Sequence, residues 1–190
     1  NVVLGIGVSS GSSSITIDGN TVQNVVGTET SNGIQVGGEN LNIIDVSNNQ
    51  VSGCSGNGIQ YDHVTTGHIV NNQVTGNTMN GINMDACDAV TVEGNTVTGH
   101  TLFEYSTGIT AFNSENIDVK SNIVTGNLGG IFWENVDIGN ILSNDASNNV
   151  VLGIGVSSGS SSITIDSNTV QNVVGSESSN GIQVGGENLN

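Results

Sequence analysis

Eight Gly-Ile pairs punctuate the chain, at Gly5-Ile6, Gly33-Ile34, Gly58-Ile59, Gly81-Ile82, Gly108-Ile109, Gly130-Ile131, Gly153-Ile154 and Gly181-Ile182. Successive pairs lie 28, 25, 23, 27, 22, 23 and 28 residues apart. A marker at such a period signals a repeat architecture, in which each unit buries its apolar side against its neighbours. A second marker, apolar-x-apolar-x-x-Asn-x-Val, follows most pairs, as in Ile15-Thr16-Ile17 with Asn20 and Val22, or Val90-Thr91-Val92 with Asn95 and Val97. It places one Asn in each unit: Asn20, Asn49, Asn72, Asn95, Asn122, Asn144 and Asn168. The third and sixth units are degenerate around it but keep Asn72 and Asn144.

The short period sits inside a longer one. Residues 1–42 return at 149–190, an offset of 148, with three changes: Gly19 to Ser167, Thr28 to Ser176 and Thr30 to Ser178. Six short units fill each long one. The expected organisation is one continuous solenoid, with residues 1–148 forming a complete six-coil unit and 149–190 beginning the next. The chain opens at Asn1 in mid-pattern and shows no recognisable cap at either end, which reads as a section of a longer array.

Within each unit apolar and polar residues alternate over three to five positions, the period of a strand and not of a helix. Three short strands per coil are expected. The first carries the Ile after Gly and a second inward residue: Val8, Val36, Tyr61, Met84, Ala111, Trp133, Val156 or Val184. The second carries the Ile-x-Ile or Val-x-Val pair, and the third the Val after the Asn. A coil this short pairs only with its neighbours, so like stacks on like. Ile6, Ile34, Ile59, Ile82, Ile109, Ile131, Ile154 and Ile182 are predicted to form one ladder. The Asn residues form a second, at a corner where an amide tolerates left-handed backbone and bonds along the stack. A β-sandwich would not need the same marker in every coil. The expected fold is therefore all-β: a right-handed parallel β-helix solenoid with three short strands per coil and about eight coils.

The Gly-Ile-x-Val and Ile-x-Val-x-x-Asn-x-Val signatures resemble the parallel β-helix repeats of the pectin-lyase-like superfamily, over essentially the whole chain. That resemblance implies the fold. It implies no single activity, because the superfamily holds polysaccharide lyases, hydrolases and epimerases, phage tailspikes, and long surface proteins of bacteria and archaea.

Charge narrows the partners. One Lys, no Arg and 17 acids give a net charge of −16. Such a surface repels nucleic acid and anionic membrane, and it takes a polyuronate only with a screening cation such as calcium. No cofactor is expected, weak calcium binding aside. No run approaches the roughly 18 apolar residues of a membrane helix. With 34% apolar residues and only one Trp, two Tyr and three Phe, the core must be thin and aliphatic. Cys54 and Cys87 fall at different places on the coil and are expected as free thiols.

The resemblance implies that catalysis, in enzymes of this kind, uses outward positions of one sheet. In the first strand of units three to six these are Gln60 and Asp62, Asn83 and Asp85, Thr110 and Phe112, and Phe132 and Glu134. Asp62 and Asp85 are predicted one strand apart, about 4.8 Å. With His63 beside them they could serve as acid, base or calcium ligands. A purely structural role accounts for the same residues. Tyr61 belongs to an inward column, the two aspartates are solvated, and His63 sits near a strand end. Resembled lyases take base and clamp from Arg or Lys, whereas the single cation, Lys120, falls in the second strand, on another sheet. His63, His68 and His100 are scattered, so no metal site is expected. Thr96-Val97-Thr98 hints at an ice-binding face, but Gln50/Ser52, Gln73/Thr75 and Ile123/Thr125 break the lattice.

Phe103, Tyr105, Phe112, Phe132 and Trp133 gather in coils five and six. Phe112 and Phe132 are predicted outward on adjacent coils, covered by the insertion around His100–Tyr105 or by a lateral neighbour in preference to a sugar. The leading expectation is a non-enzymatic tandem-repeat stalk, adhesin or filament, extracellular or at the cell surface. Its partners would be copies of itself, end to end or lateral. The alternatives are a carbohydrate-active enzyme of lyase or epimerase type using Asp62, His63 and Asp85, and a carbohydrate-binding module.

Overall fold

The computed structural model describes residues 4–27, 31–175 and 179–185. The period-two alternation becomes short strands wound into a solenoid, with every strand pairing parallel. The first coil holds β1 (Ile6–Val8), β2 (Ser13–Asp18) and β3 (Thr21–Gln23), and the second β4 (Ile34–Ser47) and β5 (Gln50–Ser52). Coil three holds β6 (Ile59–Val64), β7 (Gly67–Val70) and β8 (Gln73–Thr75), and coil four β9 (Ile82–Asp85), β10 (Val90–Glu93) and β11 (Thr96–Thr98). Then come β12 (Thr107–Lys120) and β13 (Ile123–Thr125), β14 (Gly129–Leu142), β15 (Leu152–Val156) and β16 (Ser161–Asp166), and finally β17 (Asn180–Val184).

The first and second strand segments form one bent sheet of 12 strands, and the third segments a separate sheet of five. Here the structure departs from three separate short strands, because β4, β12 and β14 each run through 14 residues. Their bend is made by paired residues with left-handed backbone: Asn40 and Ile43, Asn113 and Asn116, Asn135 and Ile138. Lys120 consequently shares a hydrogen-bonded sheet with the first segments, though it lies on the far arm of the bend.

The register places the eight Gly-Ile isoleucines one above another from Ile6 to Ile182. The six from Ile34 to Ile154 are fully buried, while Ile6 is half-buried and Ile182 is exposed. The solenoid thus has about six turns enclosed on both sides, and the count of eight coils includes an open rung at either end. Burying these aliphatic columns is the main apolar gain of the fold, about 25 cal/mol for each Å² removed from water. The inward column Val36, Tyr61, Met84, Ala111, Trp133 and Val156 is also buried. Sheet pairing continues across residue 148, since β14 pairs with both β15 and β16.

Amide rails hold the corners. The backbone N–H and Nδ2 of Asn20 both donate to Asn49 Oδ1, at 2.9 and 3.0 Å, and the same pair of bonds links Asn49 to Asn72 and onward through Asn95, Asn122, Asn144 and Asn168. Nδ2 of each of these from Asn49 on also donates to a core carbonyl, such as Ile69 O for Asn95. Polar groups that would otherwise be orphaned inside the corner are thereby satisfied.

Candidate functional site

The outward face of the first segments carries two rows. One runs Gln35, Gln60, Asn83, Thr110, Phe132, Gly155, and the other Gly37, Asp62, Asp85, Phe112, Glu134. Each step is one coil, about 4.8 Å. Asp62 and Asp85 are therefore register neighbours, half-exposed, and the second row reads acid, acid, aromatic, acid. His63 lies in left-handed backbone, and its Nδ1 is 2.6 Å from Asp62 Oδ1. Asp85 Oδ1 accepts from Asn113 Nδ2 at 3.0 Å. Gln60 Oε1 accepts from Asn57 at 2.7 Å and from Asn83 at 2.9 Å, while Thr110 Oγ1 donates to Asn83 Oδ1. Asn83 and Thr110 face outward, as predicted, but are closed off by their neighbours and lie buried.

Tyr61 lies apart from this chemistry. It is wholly buried, and its hydroxyl reaches the carbonyls of Ile44 and His68 at 2.9 and 3.1 Å. Burial, reinforced by Asp45, holds that phenol well above its ordinary range. His68 pairs with Asp45 on the second segment at 2.7 Å, and Lys120 with Glu93 at 3.4 Å. His100 is buried at a corner. The three histidines are thus dispersed, and among the described residues no three metal-ligating side chains cluster. Cys54 and Cys87 are buried free thiols, and burial pushes the Cys87 thiol up to about 11.

The face changes character at coil five. Phe112 and Phe132 meet edge to face, with ring centroids 6.1 Å apart, a favoured aromatic geometry. They are half-exposed and floor an open groove of about 420 Å³, lined also by Tyr105, Leu128, Val151 and Leu152, with Glu104 and Glu134 exposed on it. The insertion does not cover the two rings as expected. Ser106 folds it back, its hydroxyl proton shared between Phe103 O at 2.8 Å and His100 O at 3.1 Å, so that Glu104 and Tyr105 form a side wall. Glycine at position 155 leaves room for this arrangement: an added Cβ would stand 2.7 Å from Leu152 Cδ2 and 3.1 Å from Phe132 Cδ2.

Sequence reasoning missed the groove's far wall and two further rails. Asn32, Asn57 and Asn80 each accept, through Oδ1, from the backbone N–H of the coil above or from Thr107 N–H. Cys54, Asn77, His100, Asn127 and Asn149 form the other rail. The signal was present: the residue before Gly-Ile is Asn in coils two to four, and it gives way to Thr107, Gly129 and Leu152 where the groove opens. An open groove with aromatic and aliphatic walls and carboxylates at its edge suits a ring with one apolar face and polar edges.

No curated protein sequence matches the chain. Among solved structures, it superposes on the periplasmic alginate epimerase AlgG with a TM-score of 0.67 at 19% identity, covering 96% of this chain and 47% of that one. The enzymatically active domain of bacteriophage CBA120 tailspike protein 2 matches with a TM-score of 0.54 at 14% identity, over 87% of this chain and 33% of that one. The chain thus spans about half the length of the epimerase, and at such identities the likeness is one of fold. Residues 32–190 match the family model of the right handed β-helix region. With most of its length in that match and every strand pairing parallel, the chain belongs to the right-handed β-helix family.

Proposed function

We propose that the outward face of the first segments, in coils three to six, recognises a glycan. The observation that carries this reading is the open groove floored by Phe112 and Phe132 beside the Asp62 and Asp85 row. Sugar rings stack their apolar face on exposed aromatics, while the carboxylates meet hydroxyls. The carbohydrate enzymes that share this fold support the choice of ligand class and a location outside the cytoplasm. Among the described residues no helix is long and apolar enough to cross a membrane.

Under this proposal Asp62, Asp85 and His63 are the residues that would carry acid–base chemistry on a bound sugar, as in a lyase or epimerase. Retention and turnover should be measured together on a panel of neutral, acidic and amino polysaccharides, with and without calcium. Retention lost in the Phe112→Ala/Phe132→Ala double variant supports recognition. Turnover lost in Asp62→Asn or Asp85→Asn, with retention intact, would add the enzyme. Absence of retention on the whole panel overturns the reading.

A second reading rests on the near-exact return of residues 1–42 at 149–190. β17 carries the sequence of the β4 rung and pairs with β15, so the repeat resumes in the same solenoid. We propose that units of 148 residues, 1–148 and then 149 onward, stack coil upon coil in an extracellular stalk or filament that presents the glycan face. Each unit would advance about 29 Å, six coils at about 4.8 Å each. Electron microscopy of the full-length protein should show a rod that lengthens with unit number, and a compact capped particle would overturn this.

A further inference from the structure

Charge is distributed unevenly on the groove. Glu104 and Glu134 both lie on it, and neither is paired with any described residue. The row that leads to it continues with Asp85 and Asp62. No Lys or Arg answers them, because the single Lys120 is on the far arm of the bend, engaged with Glu93. Between the carboxylates stand the rings of Tyr105, Phe112 and Phe132.

Aromatic faces attract cations, most strongly where water is partly excluded, and carboxylates on the same groove add direct Coulomb attraction. A uronate would bring like charge onto a surface already at −16 and would need a divalent ion between them. A neutral sugar would use the rings but leave the acids unanswered. We infer, resting on the glycan reading of this groove, that its ligand is a cationic glycan: an oligosaccharide of amino sugars carrying free, protonated amines. The rings take the apolar sugar face, and Glu104 and Glu134 take the amines. Asp85 and Asp62 extend the same complementarity along the solenoid axis, one coil at a time.

Calorimetric titration with three oligosaccharide sets tests this: glucosamine oligomers, their fully N-acetylated counterparts, and uronate oligomers without calcium. The amine form should bind, the N-acetylated form roughly tenfold more weakly and the uronate form not at all. Glu104→Gln/Glu134→Gln, at exposed positions where the thermal midpoint should hold, should cost the amine form roughly tenfold and the N-acetylated form far less. Raising the salt should weaken only the amine form. Equal or tighter binding of the N-acetylated form, still lost in Phe112→Ala/Phe132→Ala, overturns the cationic ligand while the glycan reading stands. If none of the three sets binds, the cationic ligand falls, and the glycan reading falls with it when the full polysaccharide panel also shows no retention.

Discussion

Two corners of the same solenoid solve one problem differently. At the Asn20–Asn168 corner every rung is Asn, and the amides bond without interruption. At the Cys54–Asn149 corner His100 replaces the amide in coil four. Its Nδ1 accepts from the Asn77 N–H at 3.2 Å, and its Nε2 lies 3.3 Å from Val74 O, which fits a neutral ring protonated at Nε2. An imidazole cannot accept a second bond from the rung below, and Asn77 Nδ2 is left buried without a partner. The chain then makes its excursion to Ser106, and the interval from Gly81 to Gly108 is 27 residues against 23 and 22 on either side. The imperfect corner is the one beside the groove wall. Regular rails make the rod, and their interruption makes room for a site.

Breaking the perfect corner should have the largest effect. Asn95→Ala removes an amide that serves Asn72, Ile69 and Asn122, leaving several buried groups unpaired. We expect a loss of about 3 kcal/mol in urea unfolding. The partly exposed Asn20, which serves one neighbour, should cost far less when replaced. Repairing the imperfect corner comes next. His100→Asn supplies an acceptor for Asn77 Nδ2 and should stabilise by about 1 kcal/mol.

The same variant tests pH. Burial lowers the His100 pKa below 6.5, so the unfolded chain takes up the proton first. The stability present above 6.5 should fall as pH drops through the folded-state value, and His100→Asn should remove that part of the slope. Of similar or smaller size is Ile138→Asn. This half-exposed β-branched residue sits at φ 56°, and an Asn tolerates that backbone better, by about 1 kcal/mol, measurable as a raised thermal midpoint. The smallest effect is expected at Cys54, the rung below Asn77, and at Cys87. Both thiols are raised by burial and should stay unreactive toward a disulfide reagent at pH 8 until urea unfolds the chain.

The ladders were legible in the sequence because a short coil can only stack like on like, so that Gly-Ile and the Asn after the second strand had to align. The bend between first and second segments was not, since it depends on left-handed residues as unlike as Asn113 and Ile43. Asp62 and Asp85 could be placed side by side from spacing alone. The groove could not. Phe112 and Phe132 belong to different rows of adjacent coils, and their exposure turns on how Ser106 folds the insertion back and on the missing side chain at Gly155. Irregular segments obey local contacts that no period encodes.

The direction of the Asn rail carries a further consequence. Each amide turns its oxygen toward the Asn of the coil before it, and its backbone N–H and Nδ2 toward the Asn of the coil after, so along the Asn–Asn bonds one end of the stack offers acceptors and the other donors. Two like ends cannot satisfy each other across a twofold axis. Along this rail, a contact between two copies would be heterologous, the first coil of one meeting the last coil of another, the kind of contact that builds rings or open filaments and not twofold pairs.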